Sequence, residues 1–213
     1  MPKSIPFLHL AVDIVLFNII NNQLHILLIK RKNIPYDWYV CLPGGFVSNE
    51  ETVEQTVTKV LYRETGVFCN HVKLFGSFSK PNRDPRGRIV SLGYYSIISN
   101  NSIQTKPWIT QLSAWFYSFR EVGVLGFDHN DVLTVAYNQL QEDVQNSDIV
   151  KYFLPKYFTI DQLKSSCEVI YNRKFEKRNF IKYIESHFKI QKTNKKELYV
   201  NHRPAAFYKF INK

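Results

Sequence analysis

Between positions 42 and 67 the chain reads LPGGFVSNEETVEQTVTKVLYRETGV. Pro43-Gly44-Gly45 must end any strand that precedes it, because proline lacks an amide donor and glycine has no preferred conformation. Five residues separate Gly45 from Glu51. Val53, Val57, Val60, Leu61 and Glu64 then fall at spacings of three and four, so residues 52–65 form a helix with these on one side. Gly66 stops it as a C-cap. The cassette is thus a loop, a helix and a loop, and the rest of the first domain has to be built around it.

The flanks read mostly as strands. Residues 7–20 and 23–30 are rich in β-branched and aromatic side chains, and Asn21-Asn22 between them makes a hairpin turn. Residues 38–42 form a short strand before the proline. Residues 72–79 and 88–98 alternate like strands across a polar turn at 80–87, and 112–120 is a further candidate. Asp128 stands as an N-cap for a helix over about 130–145. Mixed strands and helices in this order predict an α/β domain over residues 1–146.

A second unit over 147–213 follows. Thr159 with Gln162 three residues later is a capping box, and Ile160, Leu163, Cys167 and Ile170 form an apolar stripe behind it. A second helix over 176–186 turns Phe180, Ile181 and Ile184 inward. Residues 188–193 and 198–211 read as strands joined at Asn194-Lys195-Lys196. Helix, turn, helix and basic hairpin outline a winged helix-turn-helix.

Charge separates the same two units. Residues 1–150 carry 13 Lys/Arg and 13 Asp/Glu, whereas residues 151–213 carry 15 and 5, so the net +10 lies entirely in the second unit. A folded basic module beside a neutral one predicts a polyanion partner, most simply double-stranded DNA. Cys41, Cys69 and Cys167 are scattered and odd in number, which argues against a disulfide framework and for a cytoplasmic protein with reduced thiols. No apolar run is long enough for a membrane span, and no signal peptide is expected at the start.

The spacing Gly45, Glu51, Leu61, Glu64, Gly66, Val67 resembles the Nudix box. That pattern runs Gly, five residues, Glu, seven residues, Arg-Glu, an aliphatic, any residue, Glu-Glu, any residue, Gly, an aliphatic. FSKPNRDPRGRIVSLGYYSII at 78–98 and LGFDHNDVLTVAYNQL at 125–140 resemble segments of the NrtR-type regulators, and the basic tail with its closing RPAAFYKF resembles their winged helix. The resemblance covers nearly the whole chain. It implies an α+β Nudix sandwich with a mixed sheet, a C-terminal winged helix, a homodimer on an operator with two half-sites, and a small-molecule effector. In NAD-metabolism members that effector is ADP-ribose; in a Bacteroidetes branch it is a sugar such as L-arabinose.

The box departs from the family at three positions. Lys59 takes the arginine's place, and Val60 and Arg63 take those of two glutamates, leaving Glu51 and Glu64. Glutamates on one helical face hold Mg²⁺ through oxygen ligands. Valine offers no ligand, and an arginine a few ångströms from a divalent cation repels it by on the order of several kcal/mol. The expectation is therefore a sensor without metal or other cofactor, not an enzyme. The rival is a Mg²⁺-dependent hydrolase of ADP-ribose or a related nucleoside diphosphate derivative.

For the effector the candidates are Trp38, which either stacks on a ring of the ligand or fills the core, and the turn with Arg83, Asp84, Arg86 and Arg88, whose three guanidiniums either fork onto phosphates or sugar hydroxyls or form a solvated hairpin tip with one ion pair to Asp84. Asp128 and His129 are read as a helix cap and its neighbour, and Arg31 and Lys32 as surface charge. For DNA the candidates are Lys174, Lys177, Arg178, Asn179 and Lys182 on the second helix and Lys192, Lys195, Lys196 and Arg203 on the wing. Arginine and asparagine suit guanine and adenine edges, and the lysines suit phosphates.

Overall fold

In a computed structural model, residues 7–66, 68–69, 71–99, 114–196 and 204–211 are described, residue 196 as backbone only. β1 (His9–Ile20) and β2 (Gln23–Lys30) form the expected hairpin. Its turn residues Asn21 and Asn22 have φ of 48° and 62°, the left-handed pair that lets a two-residue turn follow the strand twist, and asparagine tolerates it. One edge of β1 carries β6 (Ile89–Ile97) in parallel over residues 9–17, and β5 (Val72–Phe78) follows antiparallel to β6. The other edge is shared: β2 takes residues 17–20, and β4 (Gly44–Phe46) takes residues 11–13. β2 likewise pairs with β1 at 23–26, then with β3 (Val40–Cys41) at 29–30, while β7 (Ala114–Ser118) covers its far edge.

The hairpin therefore splays open beyond Phe17 and Ile26, and the Leu42-Pro43-Gly44 segment fills the split. Gly44 is required there, since a Cβ would lie 2.5 Å from the Val12 carbonyl oxygen. Alternate residues of β1 feed two cores, so the strand reads as an almost unbroken apolar run. Val12, Ile14 and Leu16 pack with Val57, Val60 and Leu61 of α1 (Val53–Thr65). Val15 and Phe17 pack with Val132, Ala136 and Leu140 of α2 (His129–Asn146). This is the sandwich of a mixed sheet between helices that the box implied. Gly66, at φ 69°, closes α1 as predicted.

The second core runs on without a break into the C-terminal unit through Phe153, Phe158, Leu163, Ile170, Phe180 and Ile184. There α3 (Ile160–Tyr171) starts at the Thr159–Gln162 capping box, and α4 (Lys177–His187) starts at Glu176, whose carboxylate accepts the amides of Arg178 and Asn179. β8 (Ile190–Lys196) and β9 (Ala206–Phe210) pair antiparallel to form the wing, and an isolated bridge ties Phe158 to Tyr208 of β9.

Three expectations are corrected here. Asn194-Lys195-Lys196 is part of β8 rather than the hairpin turn, and the predicted strand over 198–203 lies outside the described residues. Asp128 precedes α2 but its side chain makes no cap, because Arg83 holds it. Ile181 does not turn inward: it is 43% exposed, while Phe180 and Ile184 are buried.

Candidate effector pocket and nucleic-acid surface

The split in the sheet leaves a cavity of about 360 Å³ lined by Asp13, Gly44, Gly45, Arg83, Arg86 and His129, with Arg31, Phe46 and Phe127 at its sides. Its floor is a buried charge cluster. Arg83 donates from Nε and Nη2 to the two Asp128 oxygens at 2.9 and 2.6 Å, and from Nη2 to Asp13 Oδ2 at 2.7 Å. Asp13 Oδ1 also faces His129 Nε2 at 3.4 Å. Burial alone would raise the Asp13 pKa, but His129 and Arg83 overrule it and hold the carboxyl far below the usual range. Ligand atoms of Asp13, Asp128 and His129 lie within 4.8 Å of one another, a spacing that suits a cation. The cation present is the Arg83 guanidinium.

His129 is pulled two ways. Burial opposes its charge, while the Asp13 carboxylate pulls its pKa upward. Yet the Leu42 amide donates to His129 Nδ1 at 2.9 Å, and that bond needs a lone pair on Nδ1. The geometry therefore belongs to the neutral ring carrying its proton on Nε2, towards Asp13. Leu42 directly precedes Pro43, so this bond ties α2 to the split that the cassette fills.

Asp84 is equally consumed. It receives Arg86 at 3.0 and 2.6 Å and the Arg86 amide at 3.0 Å. Arg86 has two ring neighbours, with its guanidinium 4.9 Å from the Phe46 ring and 5.4 Å from that of Phe127. Arg31 lies 4.9 Å from the Phe127 ring. Phe127 itself has φ 58°, a conformation that costs a bulky residue about 1–3 kcal/mol and that clusters at ligand sites.

Of the sequence candidates, Arg83, Asp84 and Arg86 meet at this cavity. Arg83 and Asp84 are buried, not part of a solvated tip. Trp38 and Arg88 are not among the lining residues: Lys30 lies over the Trp38 ring at 5.1 Å, and Arg88 donates to the Ser79 carbonyl at 2.7 Å. The sequence reading missed Arg31, Asp13 and Phe127. Asp13 carried one signal, a lone carboxylate inside an apolar strand, which is costly to bury unless paired.

The cassette helix lies beside Gly45, whose Cβ would stand 3.4 Å from a Val60 methyl. Val60 is buried in the α1 core. Arg63 donates to Glu64 Oε1 at 2.7 Å and to the Gly44 carbonyl at 3.3 Å. Lys59 donates to Glu51 at 2.7 Å, and Thr56 takes the other Glu51 oxygen.

In the C-terminal unit Arg178, Asn179, Ile181, Lys182 and Glu185 are exposed on α4. Arg178 and Lys182 have no acidic partner among the described residues, and neither has Lys192 on β8. Lys174 is held 3.1 Å from Glu168, and Lys177 lies 3.6 Å from Asp161. Lys195 sits over the Tyr157 ring at 4.0 Å. Arg203 lies outside the described residues, and of Lys196 only the strand position is known. Glu168, buried, is the residue the sequence did not single out. It takes Lys164 at 2.7 Å, Lys174, and the Phe175 amide at 2.8 Å, and so fixes the turn between α3 and α4.

A larger cleft of about 670 Å³ lies between the β1–β2 turn, α2 and α3. Ser165 donates across it to Asn22 at 2.6 Å, and Arg120 pairs with Asn172. Beside it, α2 satisfies the open end of α3: Tyr137 and Gln141 donate to the Ile170 carbonyl at 2.8 and 3.0 Å, one of the acceptors a helix C-terminus leaves unpaired.

Known proteins fit this arrangement along its length. Residues 8–135 match the NUDIX domain family, and residues 150–210 match the NrtR DNA-binding winged helix domain. The ADPR responsive transcriptional repressor NtrR of Acinetobacter baylyi is 28% identical over 204 residues, covering 94% of this chain and 81% of that protein. The ADP-ribose pyrophosphatase of Methanocaldococcus jannaschii is 36% identical over 127 residues, covering 60% of this chain and 73% of the enzyme. The crystal structure of Shewanella oneidensis NrtR complexed with a 27mer DNA superposes with a TM-score of 0.83 at 28% identity, covering 95% and 93% of the two chains. Among the described residues no helix is long and apolar enough to cross a membrane. The chain belongs to the Nudix family and, by its winged helix, to the NrtR type within it.

Proposed function

We propose that this protein is a DNA-binding transcriptional regulator of the cytoplasm. Residues 1–146 bind a small effector and pair two protomers; residues 147–213 bind a double-stranded operator with two half-sites. One observation carries the reading. The cassette helix presents a buried Val60 and an Arg63 bonded to Glu64 where metal ligands would stand, in a chain that ends in a basic winged helix. A divalent cation does not fit that face, because both remaining carboxylates are already neutralised by Arg63 and Lys59. Likeness to a repressor over almost the whole chain, and to a regulator held on DNA, supports the same reading.

An ADP-ribose-like effector is favoured over a free sugar. Arg31, which has no acidic partner among the described residues, lies beside Phe127 at the cavity side, which offers a guanidinium for a pyrophosphate and a ring for stacking. α2 is the proposed connection to DNA. Its first turn is tied to the pocket through Asp128 and His129, and its middle holds the end of α3. An effector that binds two placements of α2 with different affinity shifts their populations. Tyr137→Phe is then expected to leave effector binding intact and reduce the effector's influence on DNA affinity, measured by titrating operator with and without effector; unchanged influence would remove α2 from the route.

A hydrolase remains the second reading, on the strength of the 36% identity to an ADP-ribose pyrophosphatase. Thermal-shift titration with ADP-ribose, NAD and L-arabinose, with and without Mg²⁺ and followed by product analysis, separates the two. Stabilisation without metal dependence and without product supports the regulator. Mg²⁺-dependent release of AMP at ordinary enzyme rates overturns it.

A further inference from the structure

The recognition face of α4 has an apolar residue in its middle. Arg178, Ile181, Lys182 and Glu185 follow the spacing i, i+3, i+4, i+7, so they form one contiguous surface opposite the buried Phe180 and Ile184. A single exposed isoleucine on a protein surface is ordinary. Here its setting differs. Arg178 precedes it by three residues and Lys182 adjoins it, and neither cation has an acidic partner among the described residues. The carboxylate of Glu176, at the helix start, is occupied by the backbone amides of Arg178 and Asn179. A face used only to neutralise phosphates would gain nothing from an isoleucine and would lose from Glu185. Both make sense on a face that meets base edges, where the patterns are donors, acceptors and the thymine methyl.

We propose that Ile181 reads a thymine through its C5-methyl group in the major groove, and is thereby a specificity-determining residue of the winged helix. The inference rests on the regulator reading above and adds which residue discriminates and what it discriminates. Three features support it. The first half of a recognition helix is the part that reaches base edges, and Ile181 is the fifth residue of α4. Its flanking cations complement the phosphates on either side of the groove. Its β-branched side chain presents a stiff methyl surface that closes on a methyl without the entropy loss of a longer chain.

The test uses the full chain and a random duplex pool. The wild type is enriched against the pool, and each thymine fixed in the selected duplex is replaced in turn by deoxyuridine, which removes one methyl and nothing else. At one such position in each half-site the wild type should lose roughly three- to fivefold in affinity, the worth of one buried methyl. Ile181→Ala should bind both duplexes with equal affinity, while retaining the wild-type melting temperature because the residue is exposed. Lys182→Ala should weaken binding to both duplexes by the same factor and keep the thymine-to-deoxyuridine ratio. Enrichment without any fixed thymine overturns the proposal and leaves the regulator reading standing. The same holds if Ile181→Ala keeps the wild-type ratio, or if it changes the oligomeric state with base preference intact. Failure to enrich any duplex at moderate salt overturns both.

Discussion

Arg83 in the Nudix half is buried and shared between Asp13 and Asp128. Arg178 and Lys182 in the winged helix stand in solvent with no acidic partner among the described residues. The same residue chemistry is thus spent in one region and available in the other. Total charge in the first 150 residues is zero not merely by count, since four cations of the pocket and the cassette helix are matched to carboxylates: Arg83 to two aspartates, Arg86 to Asp84, Arg63 to Glu64 and Lys59 to Glu51, while the Arg31 side chain at the cavity side donates, among the described residues, only to the Pro35 and Asn33 carbonyls. A spent cation holds a shape. An unspent one holds a partner. The difference locates where a polyanion binds better than the net charge does.

The largest effect should come from breaking a spent cation. Arg83→Ala leaves Asp13 and Asp128 facing each other in a buried site, and removing one partner of such a cluster costs about 3–5 kcal/mol. A fall of roughly 10 °C in melting temperature is expected for a chain of this size. The corresponding change in the other region, Lys182→Ala, should leave melting unchanged. Equal losses in the two variants would abolish the distinction.

Glu168 sharpens the comparison from the other side, because it is a neutralised charge inside the basic unit. Burial would raise its pKa, but Lys164, the Phe175 amide and Lys174 pull it down to about 2 from an ordinary value of 4.5. A carboxyl whose pKa is lower in the folded state stabilises the fold above its unfolded pKa. That contribution is lost as pH falls from about 4.5 to about 2. Melting followed from pH 5 to pH 2 should decline more steeply for the wild type than for Glu168→Gln. Parallel curves would mean that the α3–α4 turn does not depend on this carboxylate.

Much of this was legible in the sequence, for identifiable reasons. The Asn21-Asn22 turn, the Thr159 capping box, the α1 stop at Gly66 and both long helices follow from local chemistry, and local chemistry is what a sequence displays. The burial of Arg83 was not legible. Its partners Asp13 and Asp128 lie 70 and 45 positions away, and RDPRGR reads equally well as a solvated turn. Ile181 was misplaced for a related reason. Three apolar residues at 180, 181 and 184 all suit one stripe, and only the packing of Phe180 and Ile184 shows that the third is left outside. Arg31 reads as surface charge in the sequence because nothing local shows Phe127, nearly a hundred residues later, coming beside it.

Unspent cations should be visible in salt dependence. Each phosphate contact releases condensed counterions, so affinity falls with salt at a slope of about 0.9 per contact in logarithmic units. Lys182→Ala and Lys192→Ala should each lower the slope by about one and weaken binding to all duplexes alike. Lys174→Ala should change it less, since Glu168 already holds that ammonium. A slope unaltered by Lys182→Ala would place α4 away from the phosphates and return the choice to Lys192 and the wing.

The smallest effect is expected where a cation is spent but exposed. Lys59 and Glu51 form a short pair at 2.7 Å, yet the Lys59 side chain is 68% exposed. Water screens such a pair and two flexible chains must be held to make it, so exposed ion pairs contribute little. Lys59→Ala should therefore shift neither melting temperature nor DNA affinity measurably, although its bond is as short as that of Arg83 to Asp13. The contrast with Arg83→Ala separates two explanations of the neutral half. If pairing itself supplied the stability, both variants would lose it in proportion to their bonds. If burial decides, because a charge left without water is what costs energy, only Arg83→Ala is affected. A clear loss in Lys59→Ala would favour the first and would extend the structural role of ion pairs to the cassette helix, at the face where a metal would otherwise be held.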